Sequence, residues 1–357
     1  GIIFHFQKKN YLDNQIGDMC WAKYVLMDQN SPAYSKHLLV WRQQMINCAR
    51  AIEELRCSIP YLSEYIVGID AASKECDTEP WIMAPVYREI RNHHQTKPVI
   101  INKDMNYMFI SNIGFTYHVG EEFRHILSGL RHIDEVLDHF RYKAGDRLGH
   151  AIALGADIDF WVRENEVVSL PAMEHLENLL WIWGSIVHEK LSVKLSIEEL
   201  EGRIMVVAEK IFEHTLGLTP YILYEAYRKK FEHSQEDVFR ECKEGLEEER
   251  VFDNSGHFCQ LYNPKKSKTG VLWTKEKVLC TYYCPHHYLR YQQPMFIAVR
   301  KEETEIYKEI QRQIIKKVER AGVYVETNPT SNTAIGEISS LFQHYIMNHL
   351  VLIFWKM

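Results

Sequence analysis

Short apolar runs that end on a histidine or a carboxylate, each followed by an amphipathic helical stretch, constrain this chain more than any other feature. Tyr65-Ile66-Val67-Gly68-Ile69 closes on Asp70, Phe115-Thr116-Tyr117 leads into His118, and Arg147-Leu148-Gly149 leads into His150. Gly1-Ile2-Ile3-Phe4 reads as a further buried strand, and Val323-Tyr324-Val325 as another after Gly322. Between the strands lie helical faces. Leu38, Trp41, Met45, Cys48, Ile52 and Leu55 form one within residues 33–56; Ile126, Leu130, Ile133 and Leu137 form a second; Ile306, Ile310, Ile314 and Val318 form a third. Strands separated by amphipathic helices imply βαβ units and a parallel sheet. Strands that end on ionisable residues point to a barrel, whose active site collects at the carboxyl ends of its strands. An open dinucleotide-binding sheet would carry a glycine-rich turn after a strand, and none follows any strand here.

The stretch 156–305 breaks this rhythm. It holds Trp161, Trp181 and Trp183, a capping box at Ser196 and Glu199, and the helical positions Ile204, Val207 and Ile211. Its second half is polar, with an acidic run over 236–249 and the lysines 265, 266 and 268. We read it as one mostly helical insertion in a βα loop, serving as a lid or an assembly surface. Residues 1–155 and 306–357 then form the two parts of the barrel. Trp181 and Trp183, beside Leu179 and Leu180, read as the insertion's own core. The tyrosines of 282–291 are expected at a subunit contact, because the segment is too polar to be all core.

Composition excludes several classes. With 46% hydrophobic and 25% charged residues the chain is globular rather than disordered. The net charge of −6 argues against a nucleic-acid coat or a membrane-surface protein. No apolar run is long enough to span a bilayer, and the amino terminus lacks a signal-peptide layout. The 8 cysteines are scattered, which fits a reducing, cytoplasmic home.

The most specific string runs from Phe115 to Glu122. A histidine at a strand's end can present an imidazole to a metal at the sheet's mouth, and Glu121, three residues on and expected in the first turn of the next helix, can reach the same volume and exchange protons. His150 repeats the strand-end placement, behind a glycine that lets the backbone pass closely. Other histidines and cysteines carry less. His118, His125, His132 and His139 recur every seven residues, about 10 Å along a helix, which is too far for one metal; the later three read as boundary residues. Cys259, Cys280, Cys284 and the His286-His287 pair have looser spacing than a structural zinc site and read as free side chains. His93-His94 and the lysine-rich loop read as solvated.

These strings resemble those of the adenosine deaminases, a family of metal-dependent hydrolases. His118-Val-Gly-Glu121 is similar to their H-A-G-E, Leu148-Gly-His-Ala151 to their G-H-G segment, residues 67–75 to their V-x-x-D-L-A-G-D-E strand, and 326–332 to their E-V-C-P-T-S-N. Within the family the chain looks most like the large, insertion-bearing deaminases of the bacterial RADAR anti-phage system, on the G-H-A-x-A-L-G string, the tryptophan-rich insertion and residues 121–131. The resemblance implies a partial TIM-type (β/α) barrel, strands three to seven, with the insertion between strands six and seven. It implies His118 as a Zn2+ ligand, Glu121 as proton donor to the purine ring, His150 as the group orienting the metal-bound hydroxide, and Ser73 at the substrate, where the family has glycine. The substrate would be adenosine or an adenine nucleotide, and the protein a cytoplasmic homo-oligomer in anti-phage defence. The family's H-x-H pair and Asp-Asp pair have no counterpart here, so one of four expected ligands is present and the chain alone is expected to hold zinc poorly. A non-catalytic assembly module, or an amidohydrolase acting on another aminated base or nucleoside phosphate, are the alternatives.

Overall fold

The structure, a computed structural model, describes residues 1–8, 38–59, 61–93, 99–100, 107–108, 110–188, 190–212, 215–232, 272–282 and 291–327. In chain order the elements are β1 (Ile2–Gln7), α1 (Leu38–Ser58), α2 (Leu62–Tyr65), β2 (Ile66–Ala72), α3 (Pro80–His93), β3 (Val99–Ile100), β4 (Tyr107–Met108), β5 (Gly114–Val119), α4 (Ile126–His139), β6 (Arg147–His150), α5 (Ile158–Glu164), β7 (Val167–Pro171), α6 (Ala172–Val187), α7 (Ile197–Ile211), α8 (Pro220–Glu232), α9 (Lys275–Tyr282), β8 (Pro294–Ala298), α10 (Thr304–Ala321) and β9 (Tyr324–Glu326). The chain divides into two compact units. Of the described residues, one unit comprises those within Gly1–Asn10, Arg42–Glu166 and Val299–Met357, and the other those within Tyr11–Trp41 and Val167–Ala298.

The first unit is built on a five-stranded parallel sheet in the order β1-β2-β5-β6-β9. Neighbouring strands of this sheet follow one another along the chain, the usual arrangement of sequential elements. Ile69, Ala71, Phe115, Tyr117, Val119 and Leu148 are buried, as expected of a sheet whose faces are covered by its crossovers. Ile2, Ile3 and Phe4, expected to be buried, are 52%, 37% and 38% exposed, because β1 is the edge of the described sheet. Helix α4 packs between α3 and α10 and is buried on most of its circumference, His132 included; His125 caps its start and packs edge-on against Trp161. The later histidines of the seven-residue series are therefore not all boundary residues. In α10, Tyr307, Ile310, Ile314 and Val318 are buried, and Gly322 ends the helix at φ 64°, a conformation that glycine adopts without steric cost.

Helix α1 shows its expected amphipathicity with a rotated face. Ala49, Ile52, Glu53 and Arg56 turn inward, whereas Cys48 and Leu55 face solvent. The cause is Arg56, which donates to Glu53 Oε1 at 2.6 Å, to the Ile66 carbonyl at 2.9 Å and to the Ser111 carbonyl at 2.6 Å. Those carbonyls flank the amino-terminal ends of β2 and β5, and the guanidinium satisfies them from within. Asp146 does the same at β5: it accepts from Phe115 N at 2.9 Å and from Arg91, whose Nη1 donates to Ile113 O.

The second unit contains a two-stranded antiparallel ribbon, β7 with β8, and helices α6 to α9. Ser196 caps α7 by accepting from Glu199 N at 3.1 Å, and Leu200, Ile204, Val207 and Ile211 form its buried stripe. Trp181, Trp183 and Trp273 are core residues. So are Tyr282 and Tyr291, 8% and 2% exposed, with Tyr291 near Phe212 and Tyr282 beside Lys230. The rest of the segment expected at a subunit contact, residues 283–290, lies outside the described residues. Trp161 and α5 belong to the first unit. Residues 236–271, the lysine-rich loop among them, and 283–290, 328–332 and 350–357 lie outside the described residues, as do His94, Cys259, Cys284, His286 and His287 and the side chain of Cys280. Among the described residues no helix is long and apolar enough to cross a membrane.

Candidate active site at the strand ends

In a parallel sheet every carboxyl-terminal strand end lies on one edge. Register therefore decides which side chains meet there. His5 pairs with Asp70, His118 with Gly149, and Val119 with His150. Asp70, 1% exposed, is the hub. Its Oδ1 accepts from His118 Nδ1 at 3.1 Å, and His5 Nδ1 approaches Oδ2 at 2.8 Å. A carboxylate only accepts, so the neutral His118 ring carries its proton on Nδ1 and leaves the Nε2 lone pair free. Burial pushes the Asp70 carboxyl up, but the His118 hydrogen bond and the nearby His118, His5 and Lys8 charges hold it below its ordinary value.

Gly149 lets the His118 ring lie where it does. A Cβ at that position would stand 2.9 Å from His118 Cγ and Nδ1. The next residue, His150, has φ 63°, and Ala151 has φ 44°; such strain in residues with side chains concentrates at functional sites. The turn brings the His150 ring to 4.9 Å from that of His118 and its Nδ1 to 3.3 Å from Glu121 Oε1. His118, Glu121 and His150 thus meet at one end of one sheet. Burial raises the Glu121 carboxyl above its ordinary value, against the pull of His150 and His118. A carboxyl poised in this way can hold and release a proton nearer neutral pH than a solvated glutamate can.

The position of Glu121 differs from expectation in one respect. It lies in the bend after β5, and α4 begins only at Ile126. The amides of Gly120, Glu121 and Glu122 donate to Glu75, at 2.5, 3.0 and 3.1 Å, so the turn is organised around a carboxylate from another loop. Ser73 lies one residue beyond β2, exposed, at φ 90°; its backbone holds the conformation a glycine would favour, on the same edge as the three.

Two buried ionisable residues of this edge were not singled out from sequence. Lys8, 2% exposed, follows β1, donates to the His118 carbonyl and lies 4.0 Å from the centroid of Tyr117. Burial lowers its pKa, while Glu75, Asp70, Cys76 and Glu121 oppose the shift. A charge directly after an apolar strand was the available signal, as it was for Asp70. Glu75, 3% exposed, opens the single 3-10 turn Glu75–Asp77 after β2, which is too short to carry a periodic signal.

For the implied zinc ion, His118 has suitable chemistry: a carboxylate holds one ring nitrogen and leaves the other for a cation. One imidazole is not a metal site, and among the described residues no group of three or more His, Cys, Asp or Glu could hold a metal ion. The described donor set does not by itself fit zinc.

No protein-family model matches the sequence, and no curated protein matches it.

Proposed function

We propose that the chain is the catalytic portion of a deaminase-like hydrolase that acts on an aminated purine, adenosine or an adenine nucleotide. The observation that carries this reading is the 3.3 Å approach of His150 Nδ1 to the buried Glu121 carboxyl, with His118 beside it at the strand ends. In hydrolytic deamination, water adds to the ring carbon bearing the amine, a ring nitrogen takes up a proton, and ammonia leaves. Glu121 is the proton donor: burial favours its protonated form, and His150 is placed to take the proton or return it. His150 also orients the attacking water, and Asp70 fixes the tautomer and direction of His118. The zinc that the resemblance implies would take His118 and draw its other ligands from residues other than those described. The resemblance also carries the wider proposals: a complete (β/α) barrel, a homo-oligomeric assembly, a cytoplasmic location and a role in anti-phage defence.

A substrate panel tests the reading. The protein expressed from its complete reading frame is incubated with adenosine, AMP and ATP, and ammonia and the inosine form are quantified. Equimolar production of both from at least one substrate is expected. No turnover of any of the three by folded, metal-supplemented protein would overturn the reading and favour the assembly module.

A further inference from the structure

Three consecutive backbone amides in a buried turn need acceptors. In the bend after β5 they cannot come from a helix, since α4 begins at Ile126. One side chain from a different strand end supplies them all. Glu75 Oε1 accepts from Gly120 N at 2.5 Å, and Oε2 accepts from Glu121 N at 3.0 Å and Glu122 N at 3.1 Å. The bond is returned: Glu75 N donates to Glu122 Oε2 at 3.0 Å, and Cys76 Sγ lies 3.5 Å from the Glu122 carbonyl. The two loops are thus clasped reciprocally around Glu121.

Both neighbours of this clasp are fixed. Gly120 has φ 71°, and a Cβ there would stand 2.6 Å from Ile133 Cδ1, so the turn admits no side chain without displacement. Its carbonyl accepts from Ala153 N at 2.8 Å, in the loop that follows His150. Gln311 Nε2 on α10 donates to the carbonyls of Ala153 and Ala156, each at 2.9 Å. Behind the Glu75 carboxylate lies α4. Arg131 Nη2 is 3.1 Å from His132 Nε2; the guanidinium can only donate, so Nε2 accepts and the ring proton sits on Nδ1, 3.7 Å from Glu75 Oε1. Arg131 is itself held by Glu135 at 2.8 Å. The loops after β2, β5 and β6 meet at Gly120, and the carboxylate of Glu75 is the one acceptor that its bend amides share.

We propose that Glu75 is the positioning residue of the site: its carboxylate presets the bend that aims Glu121 at His150. This rests on the role proposed for Glu121 above, and the test is chosen to be independent of it. Glu75→Gln is nearly the same size but turns a donor toward at least one of the three amides, so the clasp opens without leaving a cavity. The readout is residue-resolved amide exchange and amide proton shifts by NMR, with no substrate. In Glu75→Gln, exchange at Gly120, Glu121 and Glu122 is expected to rise at least tenfold and their downfield shifts to be lost, while the amides of Phe115, Thr116 and Tyr117 in β5 stay as in the wild type. Glu75→Asp, which keeps the charge but withdraws it by one methylene, is expected to give the same pattern in milder form, and it serves if Glu75→Gln does not fold. Unchanged exchange at 120–122, or an equal rise throughout β5 and α4, would overturn the proposal. Since nothing in this readout depends on turnover, a failed deamination assay leaves it standing, and its failure leaves the deaminase reading standing.

Discussion

Gly149 leaves the space in which the His118 ring lies against its neighbouring strand. An alanine there places its Cβ 2.9 Å from two atoms of the His118 ring, and the ring, tied to Asp70, has to move. Gly149→Ala is expected to cost about 1–3 kcal/mol of stability, read by chemical denaturation of the first unit, and to lengthen the His118–Asp70 contact in a crystal structure. A variant as stable as the wild type with an unmoved ring would contradict the close approach at Gly149. At this scale the sequence was partly legible. His118, Glu121 and His150 could be named because each sits in or beside a strand end, where alternation and position mark a residue. Asp70 was visible as the polar stop of an apolar run, but its role as hub needed the register that pairs it with His5. Glu75 closes the 67–75 string that carries the resemblance, but its role was not legible: it accepts backbone amides 45 to 47 residues away, and no local pattern encodes that.

Elements were read well where one physical effect fixed them, and less well where two competed. The capping serine of α7 and the terminal glycine of α10 held their expected positions because each satisfies a helix end by itself. The buried face of α1 was rotated because Arg56, polar in any hydropathy count, earns burial through three acceptors. The same logic applies to Lys230 of α8, wholly buried against Glu177 of α6 among the rings of Tyr227, Phe231 and Tyr282. Lys230→Met removes the buried cation that meets Glu177 and is expected to destabilise the second unit by about 3–5 kcal/mol. Adding Glu177→Leu should restore most of that loss, and a double variant no better than the single one would contradict the pairing. His175, on α6, gives the unit a pH dependence. Burial, aided by Arg203 and Lys210, lowers its pKa from 6.5 to about 4. The unfolded chain therefore takes up a proton that the folded unit refuses. The contribution is complete above pH 6.5 and is lost as pH falls toward 4, at about 1.4 kcal/mol per pH unit. His175→Leu should flatten the unfolding free energy across that window; an unchanged slope would place the titrating group elsewhere.

Across the first unit, the two ends of the parallel sheet carry different chemistry. The amino-terminal ends hold closed ion pairs and satisfied carbonyls, Arg56 with Glu53 and Arg91 with Asp146. The carboxyl-terminal ends hold His118, His150 and Glu121, with strained backbone at Ser73, His150 and Ala151. The proposed site thus lies at the carboxyl-terminal strand ends, the edge at which parallel βα folds collect their binding and reactive side chains. The parallel class of the sheet was legible from strand–helix alternation alone. In the proposed reaction Glu121, held beside His150, moves the proton in hydrolysis of an aminated purine. Its most direct test compares wild type and Glu121→Gln, each expressed from the complete reading frame, for ammonia released per site from the best substrate of the panel, with amide NMR spectra confirming the same fold. A fall of about 100-fold or more in kcat with an unchanged fold is predicted; turnover by Glu121→Gln at the wild-type rate would contradict the account.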